Sequence, residues 1–231
     1  MIVTIHQPEH LPYFGFLDKV NKSDIFVILD DVDFKKNNFQ NRNQILTQNG
    51  AKWLSIPVEM SGVEDKYINA RKVKGEWKQN YKNQVIEAYR KYDFFNNGLQ
   101  LVEEMLDVES AFLIEYNLKY IKKFFELLEI NTKLVYSSNL NIQSTKTQRL
   151  YDICKSLGAT KYLAGQGAID YLDETLFKND IEILKHTFVH PKYKQLNSNE
   201  FVPYMSSLDF IMSVGIAKFK EMLDESKKSF M

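Results

Sequence analysis

Residues 25–29, Ile25-Phe26-Val27-Ile28-Leu29, form an unbroken apolar run closed by Asp24 on one side and Asp30-Asp31 on the other. A run with no polar alternation predicts a strand buried on both faces, as in a parallel sheet covered by helices. The preceding residues agree. Ile2-Val3-Thr4-Ile5 is a short, β-branched run that stops at His6-Gln7-Pro8, where the proline disfavours helical backbone at Gln7. From Leu11 the apolar residues Leu11, Phe14, Leu17 and Val20 fall at helical spacing. The opening therefore reads strand, loop, helix, strand: a βαβ unit.

The same alternation returns later. Residues 133–136, 161–164 and 181–184 read as strands. Residues 144–157 read as a helix, 165–167 as a turn, 172–177 as a short helix, and 206–214 as the start of a last helix. Residues 53–58 read as a further strand, which Pro57 places at an edge or at its own end. Residues around Gly62, Asp65 and Lys66 read as loop, and 77–128 are helical nearly throughout. Strands alternating with helices predict an α/β fold, a mostly parallel sheet flanked by helices. Its start resembles Rossmann-like and nucleotidylyltransferase-like proteins. One α/β domain is expected over residues 1–231, with 75–130 as a helical insert or cap placed to act as a lid.

Composition narrows the function classes. A chain of 231 residues with 44% hydrophobic content can bury one large core. Thirty basic residues balance thirty acidic ones, so nothing draws the chain to nucleic acid or an anionic membrane. Cys154 is the only cysteine, which excludes an internal disulfide and a cysteine-based metal site. It shares a helix face with Leu150, Ile153 and Leu157, the pattern of a small buried hydrophobe. No run of about 18 apolar residues and no signal-peptide pattern is present, so a cytoplasmic protein without membrane insertion is expected. No metal site is read, no motif specifies a cofactor, and homo-oligomerisation stays open.

Ligands of parallel sheets bind beyond the carboxyl ends of the strands. Three unusual loops fall there: His6 to Gly15, Asp30 to Arg42, and Gly165-Gln166-Gly167. His6 can donate, accept or carry a proton near neutrality, or simply close its turn. His10 reads as exposed and His186 as structural or exposed. Pro12 and Gly15 stand where a strand–His–helix start lets phosphate approach a helix end. Asp30, Asp31 and Asp33 could bind Mg²⁺ or act as a base, although aspartate at a strand end more often makes a turn.

Lys35, Gln40, Asn41 and Arg42 offer cationic and amide donors suited to phosphate and sugar hydroxyls, with Phe34 and Phe39 interleaved. Ser144 and Thr145 open a helix with Arg149 one turn in, a cap that can also hold an anion. Gly165 permits close backbone approach. His190-Pro191 joins a histidine to a turn near Tyr193 and Gln195.

Taken together, Ile5-His6-Gln7-Pro8-x-x-Leu11-Pro12-x-x-Gly15-Phe16-x-Asp18-Lys19, Asp24-x-Phe26-Val27-x-Leu29-Asp30-Asp31-Val32, Gln40-Asn41-Arg42-Asn43 and Trp53-Leu54-x-Ile56-Pro57-Val58 resemble the WbqC-like proteins. Ser144-Thr145, Leu157-Gly158-Ala159, Tyr162-Leu163-x-Gly165, Asp170-Tyr171-Leu172, His190-Pro191-x-Tyr193-x-Gln195 and Ser207-Leu208-Asp209 fit as well. Gln166 departs from the pattern, where a smaller or different residue is expected. The resemblance implies a role in bacterial O-antigen or surface-polysaccharide biosynthesis. The implied reaction is N-acylation or aminoacylation, for example with glycine, of a nucleotide-linked amino sugar. The implied partners are that sugar and an acyl or aminoacyl donor. Under this reading His6, Asp30, Asp31 and His190 are the catalytic candidates, with His6 as base. Gln7, Pro12, Gly15, Lys35, Gln40, Asn41, Arg42, Ser144, Thr145, Arg149, Gly165, Tyr193 and Gln195 are the substrate-binding candidates. Adenylyl or nucleotidyl transfer with ATP and Mg²⁺, and a non-catalytic binding role in the polysaccharide machinery, are the alternatives.

Overall fold

A computed structural model describes residues 1–60, 67–170 and 172–230. Gly62, Asp65, Lys66 and Tyr171 lie outside them, so the loop expected around the first three is not described. The chain opens with β1 (Ile2–His6), α1 (Phe14–Asn21) and β2 (Ile25–Ile28), the βαβ unit read from the apolar pattern. Then come β3 (Arg42–Thr47), β4 (Gly50–Ser55) and three helices, α2 (Lys78–Tyr89), α3 (Phe95–Leu106) and α4 (Leu113–Leu127). The α/β alternation resumes with β5 (Lys133–Tyr136), α5 (Lys146–Ser156), β6 (Lys161–Ala164), α6 (Gln166–Ile169), β7 (Glu182–Lys185) and α7 (Ser207–Phe230).

Five strands make a wholly parallel sheet in the order β5-β2-β1-β6-β7. Alternate residues of β2 serve two cores, which explains its uninterrupted apolar run. Phe26 and Ile28 pack with α1, α2–α4 and α7, while Ile25 and Val27 join Val3, Ile5, Leu150, Ile153 and Cys154 under α5. The sheet is therefore wound from both sides, and the direction of winding reverses between β1 and β6. The two strands also separate there. β1 pairs with β2 as far as His6↔Ile28, but with β6 only at Ile2↔Lys161 and Val3↔Tyr162. One residue further on, the Thr4 hydroxyl donates to the Leu163 carbonyl at 2.8 Å in place of the ladder. A crevice opens above that point, where doubly wound sheets bind ligands.

Several expectations are corrected. The strand expected at 53–58 ends at Ser55 and is not in the main sheet; it pairs antiparallel with β3 as a separate hairpin. Gly50, at φ +93°, supplies the turn. The 165–167 turn is instead the entrance to α6, and residues 174–176 form a single 3-10 turn where a short helix was expected. The last helix, expected from 206, runs as α7 through Lys227-Lys228-Ser229 to Phe230. That helix breaks at Gly215 (φ +80°, ψ 169°), where a Cβ would lie 2.7 Å from the Phe94 ring.

Candidate active site

Pro8 ends β1, and the chain must then turn back over the sheet within a few residues. That return is tight: Leu11 takes φ +44° although it is fully buried. Two asparagines hold it. Asn43 Nδ2 donates to the carbonyls of His10 and Leu11 at 3.1 and 2.8 Å. Asn117 Nδ2, from α4, donates to the Pro8 and Gln40 carbonyls at 3.2 and 2.7 Å. His10, expected to be exposed, is fully buried between Asn117 Oδ1 and the Tyr81 hydroxyl, and burial lowers its pKa to about 4. It is a neutral structural histidine.

With this loop fixed, the end of β1, the first half of α1 and the turn after β6 enclose a cavity of about 760 Å³. His6 stands at its edge, 35% of its side chain accessible, with its ring edge-on to Phe16. Its Nδ1 lies 3.0 Å from the Gln7 carbonyl. A carbonyl can only accept, so Nδ1 carries the proton and Nε2 presents a lone pair. That lone pair faces Glu9, whose Oε1 is 3.7 Å away. Burial, aided by the Lys19 charge, lowers the His6 pKa to about 3, so the ring is neutral at physiological pH.

Glu9 is 9% exposed and its Oε2 has no hydrogen-bond partner among the described residues. Burial pushes its carboxyl up to about 7, against the pull of Lys19. Lys19 is 4% exposed, and burial brings its ammonium down to about 8, against the pull of Glu9. Each group is thus poised between charged and neutral forms near neutrality, the condition for proton transfer. Burial and the nearby Glu9 charge push the Tyr13 phenol up to about 12, so it remains a donor. Its ring packs over Gly15, where a Cβ would lie 2.5 Å from it.

The walls are tied down from behind. Gln40 Nε2 donates to Gln7 Oε1, and Gln40 Oε1 accepts from the Lys35 N–H, both at 2.7 Å. His186 lines the cavity and is buried, with Nε2 2.7 Å from Asp18 Oδ2; Lys22 Nζ approaches the same oxygen at 2.8 Å. Burial opposes ionisation of Asp18, but these hydrogen bonds hold its carboxyl below the ordinary range.

Of the residues singled out from sequence, His6, Gln7, Gly15, Lys35, Gln40 and Gly165 line this cavity. The others do not. Asp30 and Asp31 lie on the same rim, beyond β2, but are taken up by structural partners. Asp30 accepts from Ser137 Oγ, Ser138 N and Ser138 Oγ. Asp31 accepts from Ser137 Oγ and, at 2.6 Å, from Arg149 Nη2. Arg149 also donates to the Ile142 carbonyl and does not line the cavity.

Ser144 donates to Asp152, and Thr145 precedes α5 with no side-chain cap bond. Asn41 donates to the Ile56 carbonyl. Arg42 donates to the Asn37 carbonyl and stacks on Trp53 at 4.1 Å. The buried Pro12 accepts from the Ser207 N–H. His190 bonds the Pro191 carbonyl and packs behind Phe188 and Tyr204. Tyr193 and Gln195 both donate to the fully buried Asp209, at 2.7 and 2.9 Å. No residue of 75–130 lines the cavity, so α2–α4 are not its lid; Asn117 and Tyr81 make them its buttress.

Sequence reading did not single out Glu9 or Lys19, and it read His186 as structural or exposed. One signal was available: Asp18 and Lys19 fall in a short helical segment between two apolar strand runs, and the structure buries all eight residues of α1. Charged residues in a short helix between two buried strands need partners or a purpose. Among the described residues no group of metal-binding side chains is found, and no helix is long and apolar enough to cross a membrane.

A doubly wound parallel sheet with a charged cavity at its switch point defines an α/β protein whose candidate site lies where sheets of this kind bind ligands. Within that class the chain belongs to the WbqC-like protein family, whose model matches residues 7–221. It is also similar to an uncharacterized Mycobacterium tuberculosis protein, Rv1507c, with 28% identity over 217 residues, covering 92% of this chain and 94% of the relative.

Proposed function

We propose that the cavity is the active site of a transferase of bacterial surface-polysaccharide biosynthesis, one that N-acylates or aminoacylates a nucleotide-linked amino sugar. The observation that carries this reading is the juxtaposition of Glu9, Lys19 and neutral His6 in one cavity at the β1–β6 switch point. Amide formation needs a base for the attacking amine and a donor for the oxyanion. We assign the base to Glu9 rather than His6, because a ring with a pKa of about 3 takes up too little proton at neutral pH. The Glu9 carboxylate accepts a proton as the sugar nitrogen bonds to the acyl carbon. Lys19 and the Tyr13 hydroxyl face the developing oxyanion. As the acyl bond to the leaving group breaks, the leaving group departs with the electron pair and takes the proton back from Glu9. His6 Nε2 accepts a hydrogen bond and orients the acceptor. Tyr13, Phe16, Phe188 and Tyr204 give the pocket apolar walls suited to a sugar face.

The test is incubation of the protein with amino-sugar nucleotides and activated acyl or aminoacyl donors, with product read by mass spectrometry. Amide product that falls about 100-fold or more in a folded Glu9→Gln variant is expected. Absence of amide from every donor class would refute the reading. Adenylyl transfer through Mg²⁺ at Asp30 and Asp31 is disfavoured by the partners those carboxylates already hold.

A further inference from the structure

We propose that Lys19 and the first turn of α1 form a seat for a phosphate or diphosphate group, entered from the cavity between β1 and β6. Lys19 is 4% exposed, lines the cavity, and makes no hydrogen bond or ion pair within 4 Å among the described residues. A largely buried ammonium that faces the cavity without a protein partner favours an anion there. Its side chain runs back toward the N-terminus of α1, the direction helical geometry imposes.

That helix end is itself open. The N–H groups of Phe16 and Leu17 both turn onto the Tyr13 carbonyl, and no side chain caps the helix. The Phe14 N–H is engaged in the bridge between Tyr13 and Ser206, while the Gly15 N–H has no acceptor among the described residues and adds to the helix dipole at the cavity. The opposite wall leaves room. A Cβ on Gly165 would lie 3.2 Å from Lys19 Nζ, so a side chain there would intrude on the ammonium.

The other titratable groups facing Lys19 fit an anion. His6 is neutral, the Tyr13 phenol stays protonated, and His186 is turned onto Asp18 behind the wall. Lys35 adds a cation at the rim. Among the described residues Glu9 is the carboxyl beside Lys19, and its raised pKa limits the negative charge it sets against an anion near neutral pH. The candidates read from sequence for this task, Arg42 and the Ser144-Thr145 helix end, lie outside the cavity. The seat stands on these contacts; its assignment to the diphosphate of a nucleotide-linked sugar rests on the transferase reading.

Inorganic pyrophosphate is the probe, titrated by calorimetry at slightly acidic pH into the full chain and its Lys19→Met, Lys19→Arg and Gly165→Val variants. Gly165 has ordinary extended backbone (φ −72°), so valine there adds bulk without backbone strain. Saturable binding by the native chain is expected, weakened about tenfold or more in Lys19→Met and Gly165→Val and largely kept in Lys19→Arg. No saturable binding at millimolar pyrophosphate, or equal binding by the native chain and Lys19→Met, overturns the seat. If Lys19→Met does not fold, Gly165→Val decides alone. Pyrophosphate binding without acyl transfer from any donor keeps the seat and removes the transferase reading. Acyl transfer to a nucleotide-linked amino sugar that neither variant weakens does the reverse.

Discussion

Asn117 reaches from α4 to the Gln40 carbonyl at 2.7 Å, and this hydrogen bond joins the helical block to the wall of the cavity. The same amide serves the Pro8 carbonyl and His10, so one buried side chain satisfies three groups. Asn117→Ala leaves them unpaired away from water. A stability loss on the order of 2 kcal/mol or more is expected in denaturant unfolding. Ligand binding should weaken as well, because the 7–13 return is no longer pinned. A variant within experimental error of the native chain in both would remove the buttress role of α4.

The pH dependence of turnover follows from Glu9 and Lys19. The base form of Glu9 grows as pH rises through about 7, and the charged form of Lys19 falls away through about 8. A narrow bell in kcat/KM with limbs near these values is expected, belonging to the pair rather than to either group. Glu9→Gln should abolish the acid limb. A profile flat from weakly acidic to weakly alkaline pH would contradict this assignment.

Stability should carry the same signature with its own signs. Glu9 has a folded pKa above its unfolded value, so the folded state holds the extra proton between about 4.5 and 7 and stability falls as pH rises through that window. Lys19 has a folded pKa below its unfolded value. Stability therefore rises with pH from about 8 to 10.5, where the unfolded chain alone keeps the proton. Lys19→Met removes a desolvated charge and should raise the melting temperature of the unliganded protein, the usual cost of a functional site made visible. A lower melting temperature would show that Lys19 stabilises the fold.

The Asp31–Arg149 pair separates structural from catalytic carboxylates. The two side chains are 25% and 14% exposed and meet at 2.6 Å. Asp31→Asn should cost on the order of 1–2 kcal/mol of stability and leave turnover within a few-fold of native. Loss of turnover in a stably folded Asp31→Asn protein would restore a catalytic or metal-binding role to this rim.

Cys154 is fully buried in α5, and burial pushes its thiol up to about 12. Thiol reagents should therefore leave it unmodified in the native state and react on unfolding. Rapid native-state labelling would contradict its place in the core.

Local pattern determined a good deal of this protein. The apolar run 25–29, the helical spacing after Leu11 and the later strand–helix alternation are near-neighbour signals, and they specified a parallel sheet, its rim and the helical stretch between β4 and β5. The motifs of the first 60 residues carried the family. Tertiary packing decided the site. Asp30 and Asp31 are sound candidates by spacing, yet Ser137, Ser138 and Arg149 reach them from β5 and α5. The local pattern does not set Lys19 and Glu9 apart as a site; the fold buries both and brings Gly165 against Lys19. Periodicity reports which face of an element is apolar, because that depends on residues three or four positions away. Whether a charge is desolvated, and so shifted into the range of proton transfer, depends on groups brought from distant parts of the chain, and only the folded structure assembles them.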